Sequence, residues 1–439
     1  KQVSNNYYFG NSDRYYSRFR YTYKTNISVG FTAEKDAGES FFSGAQKNGF
    51  DFYSAHLFYK GGKYLKSFVI GDYQIQIGQG LNLWSSYAFG KTSDIATMKK
   101  NAIPIRPYAS VDESRFLRGA AVDLAYNNIS LLLFASAKKV DASSVADSSF
   151  DDLEFISTID LSGLHRTNRE ILKRNGLTEF ISGANLRYVK NSFRIGTSFV
   201  YQGYDKPFVK PLQVYNQFDF RGQNNFSFSG DYNYVYRNIN LFGEVSHNFF
   251  GSDQDRKGLA MLHGALISLD SRASIGLLYR NYSYDYQTFY NAGFSEGSNT
   301  QNEKGLYTGL KIKLNSVWSL NAYADVFQFP WMKYLVDAPS KGHEFLIQPS
   351  YKPNKIFEVY ARFRQQLRQK NSRELNNTVT EIEDVLQRNY RLNLSYTINE
   401  FFTLKSRVEY ITIQRESTTF EKGMLISQDF IYRPKSAPF

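Results

Sequence analysis

The chain has 439 residues, 53 Lys and Arg against 41 Asp and Glu, a net charge of +12, 17% aromatic residues and no cysteine. Its mean hydropathy is −0.46. No run approaches the roughly 18 apolar residues of a membrane-crossing helix, and the oiliest stretch, 129–137, is interrupted by Ser130 and Ser136. Helical membrane spans, disulfide frameworks and thiolate metal sites are thereby excluded.

From the first segment, near Tyr15 to Tyr23, the chain keeps a two-residue beat. Phe226, Phe228, Gly230, Tyr232, Tyr234 and Tyr236 show it most plainly, with Ser227, Ser229, Asp231 and Asn233 between them. Strand side chains alternate between faces, so one face is oily and the other wet. The beat stops at Arg237-Asn238 and restarts at Ile239, Leu241, Gly243 and Val245, which describes a hairpin. About 19 such segments of roughly ten residues follow one another, the length a tilted strand needs to cross a bilayer. The expected fold class is all-β: a large antiparallel transmembrane β-barrel forming a single domain over 1–439.

Two kinds of connection alternate along the chain. Tight ones fall at Lys24-Thr25-Asn26, 60–63, Asn127-Asn128, Asn191-Ser192, Arg237-Asn238, 270–272, 315–317, 352–355 and Asn399-Glu400, rich in the residues that tight hairpins require. Long polar ones span 36–49, 79–114, 138–178, 203–225, 249–258, 283–304, 328–343, 366–387 and 412–420. Outer-membrane barrels place short turns in the periplasm and long loops outside. Tyr23, Tyr59, Tyr126, Tyr188, Tyr201, Tyr236, Tyr279, Tyr396 and Tyr410 lie near strand ends on the apolar parity, as interfacial belts require. The expected location is the bacterial outer membrane, in contact with lipid including lipopolysaccharide. An odd strand count, and two prolines before the terminal Phe439, lead to the expectation that the barrel is incomplete at one or both ends.

Inside the loops, Thr167-Asn168-Arg169-Glu170 matches a capping box, with Gly176 placed to stop the helix. A second short helix is expected within Asn371 to Arg388. Sorting charges by strand parity sets Arg18, Arg20, Lys66, Arg187, Arg194, Arg280, Lys311, Lys313, Arg362, Arg364, Arg391, Lys405 and Arg407 on the face opposite the apolar one. Acids there are fewer, so the lumen is expected to be polar and basic. Either these charges pair into networks that stiffen the interior, with Glu358–Arg362 and Lys405–Glu409 as candidate pairs, or they form a constriction that favours anions. Loop 79–114, with Lys91, Lys99, Lys100, Arg106 and bends at Pro104 and Pro107, is the candidate constriction loop or an extracellular cap.

Signals for catalysis are poor. His56, His165, His247, His263 and His343 show no metal-ligand spacing, nothing selects a catalytic triad, and the Gly-rich pieces lack the helix of a phosphate cradle. No cofactor and no metal are expected, and no enzyme activity.

The stretches GDYQIQIGQGLNLW (Gly71 to Trp84), RPYASVDESRFLRGAAV (Arg106 to Val122) and SGLHRTNREILKRNGL (Ser162 to Leu177) resemble a family of Bacteroidota outer-membrane barrels. In that family a periplasmic helix-hairpin-helix region precedes the barrel, a module associated with DNA contacts, and this chain contains no such segment. The resemblance implies a barrel and carries no catalytic residues. The functional expectation is a conduit, or the membrane component of a transport or translocation complex. The alternatives are a non-conducting scaffold for other envelope proteins and a barrel related to DNA uptake. Nothing points to a homo-oligomer.

Overall fold

The computed structural model describes residues 7–434 apart from 89, 147–153, 251–257 and 373–380. Its strands are β1 (Tyr15–Tyr23), β2 (Ile27–Lys35), β3 (Phe52–Lys60), β4 (Leu65–Ile75), β5 (Ile105–Pro107), β6 (Leu117–Tyr126), β7 (Ile129–Ala146), β8 (Glu154–Asp160), β9 (Leu177–Lys190), β10 (Phe193–Phe208) and β11 (Gly222–Tyr236). They continue with β12 (Ile239–Phe250), β13 (Gly258–Asp270), β14 (Ala273–Tyr282), β15 (Glu303–Lys313), β16 (Trp318–Phe329), β17 (Ser340–Tyr351), β18 (Phe357–Asn371), β19 (Ile382–Thr397), β20 (Phe402–Gln414) and β21 (Glu421–Tyr432). All belong to one 21-stranded sheet. The short β5 pairs with β4, and β8 pairs with β7 and touches β10 at a single parallel contact, so the other strands form a continuous antiparallel meander. Among the described residues, no helix is long and apolar enough to cross a membrane.

Register follows the beat in the sequence. In β11 and β12, Phe228 faces His247, Gly230 faces Val245 and Tyr234 faces Leu241. Phe226, Phe228, Leu241 and Val245 are exposed on the outer face, while Ser227, Ser229, Glu244 and Ser246 are buried on the inner one. The same split recurs in Leu277 against Leu278, Leu306 against Tyr307, and Val326 against Asp325 and Phe327. The outer surface is thus a belt of apolar side chains with no protein against it, the band a transmembrane barrel presents to hydrocarbon. Tight turns open with a left-handed residue at Lys24, Asn127, Asn191 and Arg237, with φ between 51° and 54°.

The sheet curls. Ile77 and Leu83, in the segment after β4, pack with Val69, Leu117, Leu132, Ile181 and Val200 of the early strands. Leu81 and Met98 of the same segment pack with Phe242, Leu262, Leu278, Tyr307, Tyr323 and Leu346 of β12 to β17. One short segment touches both groups only because the wall wraps around it. The interior is therefore not simply polar, as the charge sorting implied. Inward apolar side chains are tolerated because they meet loop residues instead of water.

Two expectations need correction. The helix expected within 371–388 is not formed from 382 onward, where β19 begins with Glu383 and Val385 buried and Asp384 exposed between them; the residues 373–380 lie outside those described. The candidate pairs Glu358–Arg362 and Lys405–Glu409 do not form. Residues four apart on a strand lie too far from each other along it, so Glu358 pairs with Lys352, and Glu409 pairs with Arg391 across strands. The helix at 168–173 is present, with Thr167 and Glu170 closing the capping box.

Candidate functional site: the lumen and its inserted loop

The segment 76–104 enters the barrel after β4 through a backbone that turns at Gly78 and Gly80, with φ of 55° and 82°. This turn aims three amides at one carboxylate. Glu244 of β12 accepts from the backbone N–H of Gln79 at 2.6 Å, Leu81 at 3.0 Å and Asn82 at 3.2 Å. A Cβ at position 78 would sit 2.6 Å from Glu244 Oε2, so only glycine fits.

A second anchor is Lys91. Its ammonium lies against Glu296, 2.5 Å from Asp325 and 3.8 Å from Glu344, with the side chain almost fully buried. Asp325 in turn holds Arg280 in a two-pronged pair at 2.8 and 3.0 Å, and Arg280 reaches Glu303 at 2.5 Å, all three residues having no exposed surface. A third anchor follows at the 3-10 turn Ile95–Met98, where Asp94 caps the amide of Ala96 and faces Lys311 at 3.2 Å.

The connection 283–302 backs this segment from the loop end. Tyr286 and Thr288 hydroxyls donate to the carbonyl of Leu81 at 2.8 and 3.0 Å. The amide of Trp84 donates to Tyr290 O at 2.6 Å, and that of Ala292 to Gly80 O at 2.8 Å. Together the two connections pack against inward side chains from β4 to β17. β1 is exposed throughout, and on the inner parity of β20 Lys405 and Arg407 are exposed while Glu409 is half-buried beside Arg391.

The basic residues singled out from parity, and those of the candidate constriction loop 79–114, divide accordingly. Lys91 and Arg280 sit in the central network. Lys311 meets Asp94, Arg364 meets Glu344 at 2.7 Å, Arg187 meets Asp123, Arg194 meets Asp231 at 3.5 Å, Arg391 meets Glu409 at 2.8 Å and Arg362 donates to Gln348 at 2.7 Å. Arg18, Arg20, Lys66, Lys313, Lys405 and Arg407 are exposed; Arg18 and Arg20 lie opposite Thr32 and Gly30 on the inner parity. Arg106 is exposed in β5. Lys99 stands 6.0 Å from the Phe242 ring centre and Lys100 4.8 Å from that of Trp84.

Burial pushes the Lys100 ammonium down to about 8 against the opposing pull of Glu244, and its Nζ has no hydrogen-bond partner. Burial and then Arg368 lower Lys333, in the connection before β17, to about 8 as well. Glu296, Glu303 and Glu344 are the residues that parity reasoning missed. Glu303 and Glu344 lie at or just past the expected limits of loops 283–304 and 328–343, where β15 and β17 start earlier than the beat suggests, and Glu296 lies inside the first of these loops, where strand parity assigns no face.

At the loop end, a cavity of about 890 Å³ is lined by Trp84, Lys100, Glu113, Phe116, Asp141 and His165 among others. Beside it, Glu39, Asp51 and His165 bring ligand-type atoms within 4.8 Å of one another. No spacing in the sequence marks this group, because its members come from two connections more than 100 residues apart, Glu39 and Asp51 before β3 and His165 before the helix.

The curled antiparallel sheet, the outward apolar belt and the interior filled by the chain's own loops define an outer-membrane β-barrel. Neither a protein-family model nor a curated protein matches the chain. Among solved structures it is similar to OccK3 (OpdO) of Pseudomonas aeruginosa, at 10% identity over 95% of this chain and 93% of that one, with a TM-score of 0.33. OpdQ of the same organism gives 9% identity, 95% of each chain and 0.38. A chain of the FpvAI–pyocin S2 complex gives 11%, 97% of this chain, 59% of that one and 0.40. The barrel assignment stands on register and side-chain partition, not on these superpositions.

Proposed function

We propose that this chain is the wall of an outer-membrane conduit whose constriction is the inserted segment 76–104. The observation that carries the reading is the unequal filling of the lumen. Loops pack against the inner side of β4 to β17, whereas Arg18 and Arg20 on β1 and Lys405 and Arg407 on β20 stay exposed on the inner parity. A water-filled path lined by fixed cations favours anions. Reconstituted in a planar bilayer under a KCl gradient, the protein is expected to show a reversal potential displaced toward the chloride equilibrium value. Cation preference, or no conductance at all, contradicts the reading.

A second reading rests on a separate observation: among the described residues, the outer edges of β1 and β21 have no strand partner. An open strand edge is a template for strand addition by another envelope protein, and co-purification of a stoichiometric partner with a non-conducting barrel would favour it. The likeness to Bacteroidota barrels adds a DNA-uptake role. Its mark is duplex affinity that falls steeply with salt, and absent binding at low salt sets it aside.

A further inference from the structure

The cluster beneath the loop-end cavity is built from parts distant in sequence. Asp51 precedes β3, Asp141 lies on the outer extension of β7, and Glu39 and His165 come from the connections before β3 and before the helix. His165 Nδ1 is 2.5 Å from Asp51 Oδ2, and its Nε2 is 2.8 Å from Asp141 Oδ2. Glu39 lies within the same group, its Oε1 accepting from the backbone N–H of His165 at 2.8 Å and its Oε2 from that of Asp36 at 2.9 Å. The side chains of Asp51 and His165 are 1% and 4% exposed.

Two observations say that this site is not complete as a set of protein groups. Asp51 Oδ1 is closed off from solvent and makes no hydrogen bond, its nearest cation being Arg174 Nη2 at 3.3 Å, and a single imidazole is shared between Asp51 and Asp141. Charge is also out of balance. Glu39, Asp51, Asp141 and the adjacent Glu113, which packs against Gly163, supply four carboxyl groups, against His165 and Arg174 as cations. Burying excess carboxylate is costly unless a proton or a cation neutralises it.

We propose that Glu39, Asp51 and His165 form a binding site for a first-row divalent cation of the zinc type, with Asp141 accepting from the opposite ring nitrogen and orienting the imidazole. One imidazole with two carboxylates is a borderline donor set that suits zinc better than calcium or magnesium, which take oxygen alone. Asp51, Asp141 and His165 line the cavity, which gives the ion its entry path. On binding, the imidazole nitrogen that becomes a ligand gives up its proton to solvent and forms the metal–nitrogen bond with the freed lone pair. The ion would then tie together the connections 36–51 and 161–167 and the outer end of β7, fixing the rim of the mouth.

The test uses the full chain, refolded in detergent, stripped with EDTA and titrated with Zn²⁺, then separately with Ca²⁺, by equilibrium dialysis. One equivalent of Zn²⁺ bound in preference to Ca²⁺ is expected. Affinity should fall more than about tenfold in His165→Ala and in Asp51→Asn. Retention of the heat-modifiable compact band on gels shows that each variant is folded; if His165→Ala is not, Glu39→Gln serves in its place. Failure of the parent protein to bind, Zn²⁺ binding unchanged in the folded variants, or preference for Ca²⁺ overturns the proposal and leaves a histidinium held between two aspartates only.

Discussion

Lys91 neutralises Glu296, Asp325 and Glu344 at once from a nearly dry position. Removing one member of a buried charge group leaves its partners uncompensated, at about 3–5 kcal/mol. Lys91→Met is expected to lower the urea midpoint of the reconstituted protein and to raise its conductance by unseating the loop. An unchanged midpoint would show that the network is not what holds the segment. At Gly78, alanine places a methyl group against the Glu244 carboxylate, so Gly78→Ala is expected to expose segment 76–104 to added protease while leaving the strands protected.

Lys100 supplies a pH dependence. Its folded-state value is depressed to about 8 from the ordinary 10.5, so between those values the seated loop binds fewer protons than the released one. Seating therefore strengthens as pH rises from about 8 to 10.5, and below about 8 the burial penalty is present in full. The open fraction of single channels is expected to fall across that interval, and to fall less in Lys100→Met; a rise would contradict the assignment.

At the scale of elements, the wall strands were legible because lipid and lumen impose opposite demands on successive residues, as in Phe228 beside Ser229 or Leu241 beside Phe242. Outside the bilayer that demand ends, and so did legibility. β7 runs for 18 residues and β19 for 16, extending into what the beat marked as loops. The short β5 and β8 were missed for the same reason, since a few residues pairing at a strand tip carry no period. The fate of segment 76–104 was half visible. Its length and prolines marked it as special, but seating depends on Glu244 and Asp325, more than 140 and 220 positions downstream, which no local pattern encodes. Deleting 85–99 is expected to raise single-channel conductance several-fold with the strand content by circular dichroism unchanged, whereas an unaltered conductance would place the constriction elsewhere.

For the whole molecule, the net charge of +12 is less informative than where the charges stand. Arg280 and Arg187, which parity placed on the basic face, are absorbed by Asp325, Glu303 and Asp123, and of the exposed parity cations Arg18, Arg20, Lys405 and Arg407 lie on β1 and β20, with Lys66 and Lys313 at the ends of other strands. Parity could assign the face of each charge but not its partner, because partners lie across strands whose register only the fold reveals. The account as a whole depends on a wall with lipid on one side and packed protein on the other. The absence of cysteine makes this directly measurable: single nitroxide labels placed one at a time from 226 to 232 in liposomes, with collision rates for oxygen dissolved in the bilayer. The rate is expected to alternate, high at 226 and 228 and low at 227 and 229, whereas equal rates at neighbouring positions, or the opposite phase, would contradict it.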